Sequence, residues 1–250
     1  MNLIIDDIDT RVEVSGGGLS LLMIHGWKDS LETFDELTKE LENDYKVIRL
    51  DLPGFGGSQA PPEPWGASQY ADFISKTLLK LEEPEIYAII VHSMGARIAI
   101  NALGRRAISA DKLVIMAGAG IPDRTRSNKT IMATLAKSGS AVASVLPKDT
   151  QKKLRRKFYK MTGSTDYLDA GAMRDTFLKL VAEDSRKYAT DVHAETLLIY
   201  SSNDRFTPPE YGEQFAELIP NSKLVIVEDL GHNIHKNDPK KILSLIEEFL

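Results

Sequence analysis

The sequence predicts an α/β protein: a mostly parallel eight-stranded sheet with helices on both faces. Three observations carry this. Short apolar runs of strand length alternate with helix-period segments along the 250 residues, the pattern of a sheet covered on both sides. Polar, chemistry-bearing residues gather where those strands end: His25 and Trp27, Asp51, Ser93, Asp204 and His232. Sheets of this kind bind ligands at the carboxyl ends of their strands. Finally, residues 86–104 read as a buried strand that turns directly into a helix.

In chain order, 2–5 and 10–15 are expected strands joined by an Asp-rich turn at Asp6, Asp7 and Asp9. Gly16-Gly17-Gly18 is a turn before the strand 19–24, which ends in His25-Gly26-Trp27. Ser30 is a candidate N-cap for a helix to Leu41. The strand 45–50 runs into Asp51-Leu52-Pro53-Gly54-Phe55-Gly56-Gly57-Ser58, and a Pro-rich loop follows to Pro64. Ser68 is expected to cap a helix to Leu81. Further strands are expected at 112–117, 196–201 and 223–227. Helices are expected over 209–218 and from Pro239, at a first helical position, to Leu250. Residues 121–190 are helical in pattern and differ in composition from the rest.

The stretch around which the others are arranged is Ile86 to Gly104. An apolar run meets His92-Ser93-Met94-Gly95, and a helix follows with Ile98, Ala99 and Ala102 on one face. So tight a reversal strains the apex residue and presents its side chain at the strand end, which is the geometry of a nucleophile elbow. It exposes Ser93 Oγ and aims the Met94 N–H where an oxyanion would form. The helix N-terminus adds positive potential. Val91 stands where the motif has its first glycine, so the helix is expected to sit slightly farther from the sheet.

Composition limits the alternatives. Of the residues 42% are hydrophobic and 27% charged, which favours a folded core over disorder. The net charge of −5 gives no reason to expect nucleic acid. There is no cysteine, so disulfides, zinc–thiolate sites and a cysteine nucleophile are excluded. With no apolar run near the ~20 residues of a membrane helix and no leader-like start, the expectation is a soluble cytoplasmic protein without a membrane partner.

Serine needs a base, and the base needs a carboxylate to fix its tautomer. There are five histidines. His25 is expected to fix its own loop, His92 to point away from its neighbour Ser93, and His193 to be solvated. His235 could support His232 or be exposed. His232 follows Gly231 after the last strand and can swing over the sheet end, so it is the candidate base. Asp204, in Asn203-Asp204-Arg205-Phe206-Thr207-Pro208, is the candidate acid, although an aspartate there also suits an Asx-turn. Asp51 more simply ties a turn, and Asp123 is the alternative acid. The order Ser93, Asp204, His232 suits this type of elbow.

Together, His25-Gly26-Trp27, the Asp51–Ser58 loop, His92-Ser93-Met94-Gly95, Asp204 with Thr207-Pro208, and Gly231-His232 resemble the α/β-hydrolase superfamily over nearly the whole chain. The nearest likeness is to small bacterial carboxylesterases and acyl-ester hydrolases with a helical lid. The resemblance implies an α/β-hydrolase core over 1–120 and 191–250 and a lid over 121–190. It implies Ser93, Asp204 and His232 as a catalytic triad and the Trp27 and Met94 amides as the oxyanion hole. No cofactor and no metal are expected. Val91 and Ala96 depart from the family's glycines and bear on local packing. Ser93 at the elbow separates the chain from dehalogenases and epoxide hydrolases, which have aspartate there. Carbon–carbon bond hydrolases, perhydrolases and small-ligand receptors on this fold remain alternatives.

Residues 121–190 carry a charge of +8 against −13 for the rest, concentrated at Lys152-Lys153-Leu154-Arg155-Arg156-Lys157. A solvated helix face would explain this. A basic segment on an acidic body would also steer an anionic ester, a thioester or an acidic carrier. Ile131, Met132 and Leu135 are the candidate apolar wall for the acyl group.

Overall fold

A computed structural model describes residues 1–122 and 171–250. The chain divides into two compact units, one of residues 1–121 with 184–250 and one of residues 122–183. The first holds an eight-stranded sheet: β1 (Asn2–Ile5), β2 (Ile8–Gly16), β3 (Ser20–Ile24), β4 (Lys46–Leu50), β5 (Ile86–His92), β6 (Ala110–Met116), β7 (Glu195–Ser201) and β8 (Ser222–Val227). Their spatial order is β1-β2-β4-β3-β5-β6-β7-β8. β1 pairs with β2 and β2 with β4 antiparallel, and every other pairing is parallel.

The hairpin that opens the chain is a two-residue one. Ile5 pairs with Ile8, and Asp6 and Asp7 both have positive φ, 48° and 63°. Two left-handed central residues match the turn twist that hairpin strands need, and aspartate tolerates that region better than most side chains. Asp9 belongs to β2 rather than to the turn.

The inner parallel strands are apolar on both faces because helices cover both. On one face Leu21, Met23, Ala88, Ile90, Val114, Met116, Leu197 and Ile199 form a single buried cluster. It includes Leu37 and Leu41 of α1 (Asp35–Leu41) and residues of two C-terminal helices described below. The alternate residues face α2 (Ala67–Lys80) and α3 (Met94–Gly104), which pack on each other. Val91 is wholly buried, in register between Ile24 and Ile115. The helix that follows is nevertheless close to the sheet. At Gly95 an added Cβ would overlap the Ile24 carbonyl and lie 3.2 Å from the His25 oxygen. The small residue the packing requires is therefore Gly95, on the helix side of the elbow.

Two expected caps differ. Ser30 precedes a 3₁₀ turn, Leu31–Phe34, before α1, and its hydroxyl bonds Glu32 rather than a backbone amide. Helix α2 starts two residues earlier than expected, and Ser68 lies inside it. The capping position is Gly66, whose N–H donates to Gln69 Oε1 at 3.0 Å. That reciprocal half of a capping box lets glycine stand in for a hydroxyl residue.

In the second unit, α4 (Arg174–Ala182) buries Thr176 and Leu180. Helix α5 (Arg186–Ala189) belongs to the unit of the sheet. Ser185 N–H donates to Gly120 O at 2.8 Å, and Tyr188 covers Gly104 at the end of α3 so closely that no Cβ fits there. Helix α6 (Pro209–Leu218) follows β7. A short helix α7 (Ile234–Asn237), not expected from the sequence, precedes α8 (Pro239–Phe249). They add Ile234, Ile242 and Ile246 to the buried cluster. The side chain of Asp238 caps α8 by accepting from Lys241 N–H at 3.1 Å. Among the described residues no helix is long and apolar enough to cross a membrane.

Candidate active site

Ser93 is the one residue between β5 and α3, and it sits at φ 50°, ψ −111°. A non-glycine residue with positive φ costs on the order of 1–3 kcal/mol, so its surroundings must hold it there. They do so through backbone bonds: Ser93 N–H donates to Met116 O at 3.1 Å, and its carbonyl accepts from Ala119 at 2.9 Å and Ala96 at 3.1 Å. The side chain is then left half-buried at the carboxyl end of the sheet.

There it meets the two groups expected from far along the chain. Ser93 Oγ lies 3.0 Å from His232 Nε2, and His232 Nδ1 lies 2.8 Å from Asp204 Oδ2. The Asp204 side chain is wholly buried and that of His232 is 20% exposed. Burial would raise the Asp204 pKa. The bond from His232, its positive charge when protonated, and the bonds from Thr207 and Phe206 outweigh burial and bring it below the ordinary carboxylate value. An ionised carboxylate on Nδ1–H leaves the Nε2 lone pair for the serine proton.

Asp204 also makes the Asx-turn that its sequence context suggested. Its Oδ1 accepts from the amides of Phe206 at 2.7 Å and Thr207 at 3.2 Å. One oxygen shapes the turn and the other faces the imidazole. The Thr207 hydroxyl lies 2.7 Å from Asp204 Oδ2, 2.9 Å from Ala117 O and 3.2 Å from His232 Nδ1. It joins the acid to the strand beside the elbow.

The roles of four residues escaped the sequence reading. Asn203 Oδ1 accepts from Gly231 N–H at 2.7 Å, and Ser201 Oγ accepts from Leu230 N–H at 2.9 Å. These bonds hold the loop that carries His232 against the end of β7, and Gly231 adopts φ 61° within it. The polar run Ser201-Ser202-Asn203 beside Asp204 was the available signal. His92 is an anchor: its Nε2 donates to the His232 carbonyl at 3.0 Å. Phe206 is 57% exposed, with its ring centroid 5.3 Å from that of His232.

The remaining candidates sort as follows. His25 is wholly buried and its pKa is lowered, by burial above all. Its Nδ1–H donates to Gly26 O at 2.7 Å and its Nε2 accepts from Leu52 N–H at 3.0 Å, so it joins two strand-end loops. Asp51 ties a turn, accepting from Leu31 and Gly57 amides, each at 2.7 Å. His193 is exposed and His235 is buried. Met94 opens α3 immediately after the serine. Trp27 follows Gly26, where an added Cβ would lie 3.3 Å from Ser93 Cβ, so the Gly26 loop passes against the elbow. Asp123, the candidate wall residues Ile131, Met132 and Leu135, and the basic run 152–157 lie outside the described residues.

The profile of the alpha/beta hydrolase family matches residues 21–245. AB hydrolase superfamily protein YisY of Bacillus subtilis is 27% identical over 95% of this chain and 94% of its own. The pimeloyl-[acyl-carrier protein] methyl ester esterase of Nitrosomonas europaea is 23% identical over 95% of this chain and 98% of its own. Among solved structures, an esterase from Exiguobacterium antarcticum superposes with a TM-score of 0.77 at 21% identity. That match covers 99% of this chain and 98% of the other.

Proposed function

The chain belongs to the alpha/beta hydrolase family, and from that premise we propose that it is a serine carboxylesterase working through an acyl-enzyme. The observation that carries the reading is the continuous array Ser93 Oγ–His232 Nε2, 3.0 Å, and His232 Nδ1–Asp204 Oδ2, 2.8 Å. Ser93 Oγ attacks the ester carbonyl as His232 Nε2 takes its proton. Asp204 keeps the other ring proton on Nδ1 and stabilises the imidazolium. The Met94 and Trp27 amides receive the negative charge that grows on the carbonyl oxygen. Collapse expels the alkoxide, which leaves as the alcohol with the proton from His232. Water then adds to the acyl-enzyme by the reverse of these steps, with His232 again as base.

The substrate is an ester or thioester of a small to medium acyl group. Phe206 offers it an exposed apolar ring beside His232, and the proposed lid, residues 121–190, supplies the apolar side chains Ile131, Met132 and Leu135 for the acyl group. The lid's charge of +8 favours an anionic substrate or an acidic carrier. A relative named for a carrier-bound methyl ester supports that class. No cofactor enters the chemistry.

The test is pre-steady-state hydrolysis of a chromogenic ester. The proposal expects a burst of alcohol of about one equivalent per protein, followed by slower turnover. Ser93→Ala and His232→Ala should each reduce kcat by about 10³-fold or more, and Asp204→Asn by somewhat less. Wild-type turnover in Ser93→Ala would refute it.

A further inference from the structure

Beside the triad lies a second group of side chains that the proposed esterase chemistry does not use. Asp29, on the loop after β3, meets His92 of β5 and His235 of α7. One ligand-competent atom of each lies within 4.8 Å of those of the other two. His92 and His235 are 3% and 1% exposed, and their ring centroids are 4.4 Å apart.

The hydrogen bonds fix which nitrogen of each ring keeps its lone pair. His92 Nε2 faces the carbonyl of His232, which only accepts, so the ring proton is on Nε2. His235 Nε2 lies 2.9 Å from Thr33 Oγ1, and that hydroxyl's own proton goes to Asp29 Oδ2 at 2.7 Å. His235 Nε2 is therefore also the donor. Each Nδ1 is left with a lone pair, and both Nδ1 atoms are buried with no hydrogen-bond partner among the described residues. An unpaired buried polar atom costs about 1–3 kcal/mol, so two in one cluster call for a ligand. His92 Nδ1 faces the loop that carries Asp29, since an added Cβ on Gly26 would lie 3.0 Å from it.

We propose that Asp29, His92 and His235 bind one divalent cation of the zinc class through a carboxylate oxygen and the two Nδ1 atoms, with water completing the shell. Two imidazoles with one carboxylate suit zinc, cobalt, nickel or copper rather than magnesium or calcium, which take oxygen ligands. Imidazoles that ligate a metal donate their other N–H to an oxygen, and both rings already do so, to His232 O and Thr33 Oγ1. Both stay neutral and so available: burial above all, then neighbouring positive charge, brings His235 down to about 3 and His92 well below its ordinary value.

Tetrahedral zinc with bonds of about 2.0–2.1 Å brings its ligand atoms to about 3.4 Å apart, so the cluster contracts as it binds. Asp29 supplies that movement, being on a loop and with its side chain 23% exposed, which also gives the ion an entrance. Lys236 now neutralises Asp29 from 3.1 Å, and its side chain, 44% exposed, is free to swing into solvent when the cation takes its place.

The experiment is calorimetric titration of the chelator-treated full chain with Zn²⁺, alongside the visible absorption of the Co²⁺ form. One equivalent should bind in the wild type and in His232→Ala, which removes the triad imidazole but keeps the carbonyl that orients His92. Asp29→Asn and His235→Gln should abolish it. Thr33→Val, which removes only the orienting oxygen, should weaken it by about 10- to 100-fold. Thermal unfolding without metal verifies that each variant is folded, and should His235→Gln not fold, Asp29→Asn and Thr33→Val decide the matter. The proposal fails if the wild type binds no zinc, which leaves the two nitrogens to a bridging water. It also fails if binding survives Asp29→Asn or is lost in His232→Ala.

Discussion

Replacing Gly95 by alanine tests how the elbow is held. The glycine has helical neighbours, so propensity alone favours alanine by about 1 kcal/mol. Packing opposes it. The added methyl would overlap the Ile24 carbonyl oxygen and lie 3.1 Å from its carbon and 3.2 Å from the His25 oxygen, all of them backbone atoms that no rotamer change can move. Overpacking a core costs about 1–3 kcal/mol, and a backbone clash belongs at the upper end, so a net loss of about 1–2 kcal/mol is expected. The larger effect is on chemistry. Relief requires β3 and the His25–Trp27 loop to part from α3 by on the order of 1 Å, which separates the Trp27 and Met94 amides proposed as the oxyanion hole and is expected to cost about 10²-fold in rate. Urea unfolding gives the first quantity and kcat for a short-chain ester the second. If Gly95→Ala gains stability and keeps wild-type kcat, the close approach of α3 to β3 does not set the oxyanion geometry and the reasoning fails.

Other consequences are as direct. His25, His92 and His235 all have lowered pKa values, with burial as the largest cause, so the unfolded chain binds more protons below about pH 6.5. Stability present above that pH is lost as pH falls toward about 3 for His235, with a slope of about 1.4 kcal/mol per pH unit for each histidine; His235→Gln should flatten the slope of denaturant-derived stability between about pH 4 and 6 by that amount. Thr207→Val removes the hydroxyl between Asp204 and Ala117 O, and should lower stability by about 1–3 kcal/mol and reduce kcat with little change in KM. For the proposed basic lid, kcat/KM for an anionic ester should fall with ionic strength more steeply than for a neutral ester of equal length. Replacing Arg155, Arg156 and Lys157 by glutamine should remove the difference, and identical salt profiles in the wild type would leave the basic charge with no role in steering.

The sheet was legible because its central strands are buried on both faces and read as apolar runs between turn residues. Their edges moved by at most two residues. The hydrogen-bonded array of Ser93, His232 and Asp204 was legible because a strained serine, a histidine after the last strand and an aspartate between them each sit at a strand end. Less visible was everything that depends on contacts distant in sequence. Asn203 meeting Gly231, His92 meeting the His232 carbonyl, and Asp29 meeting His235 across 206 positions leave no periodic trace. Caps failed for a related reason: Ser30 and Ser68 are good capping residues by type, but a Glu32 side chain and the Gly66–Gln69 bond decide the local geometry. Val91 was expected to push the helix outward. The sequence could not show that the helix comes closest at Gly95, against β3.

The central claim is that Ser93 is the nucleophile, activated by His232. Its most direct test is covalent labelling with a fluorophosphonate, followed by intact-mass measurement and peptide mapping. The account predicts a single adduct on Ser93, none in Ser93→Ala, and formation at least about 10³-fold slower in His232→Ala. An adduct on another residue, or labelling of Ser93 at an unchanged rate without His232, would contradict it.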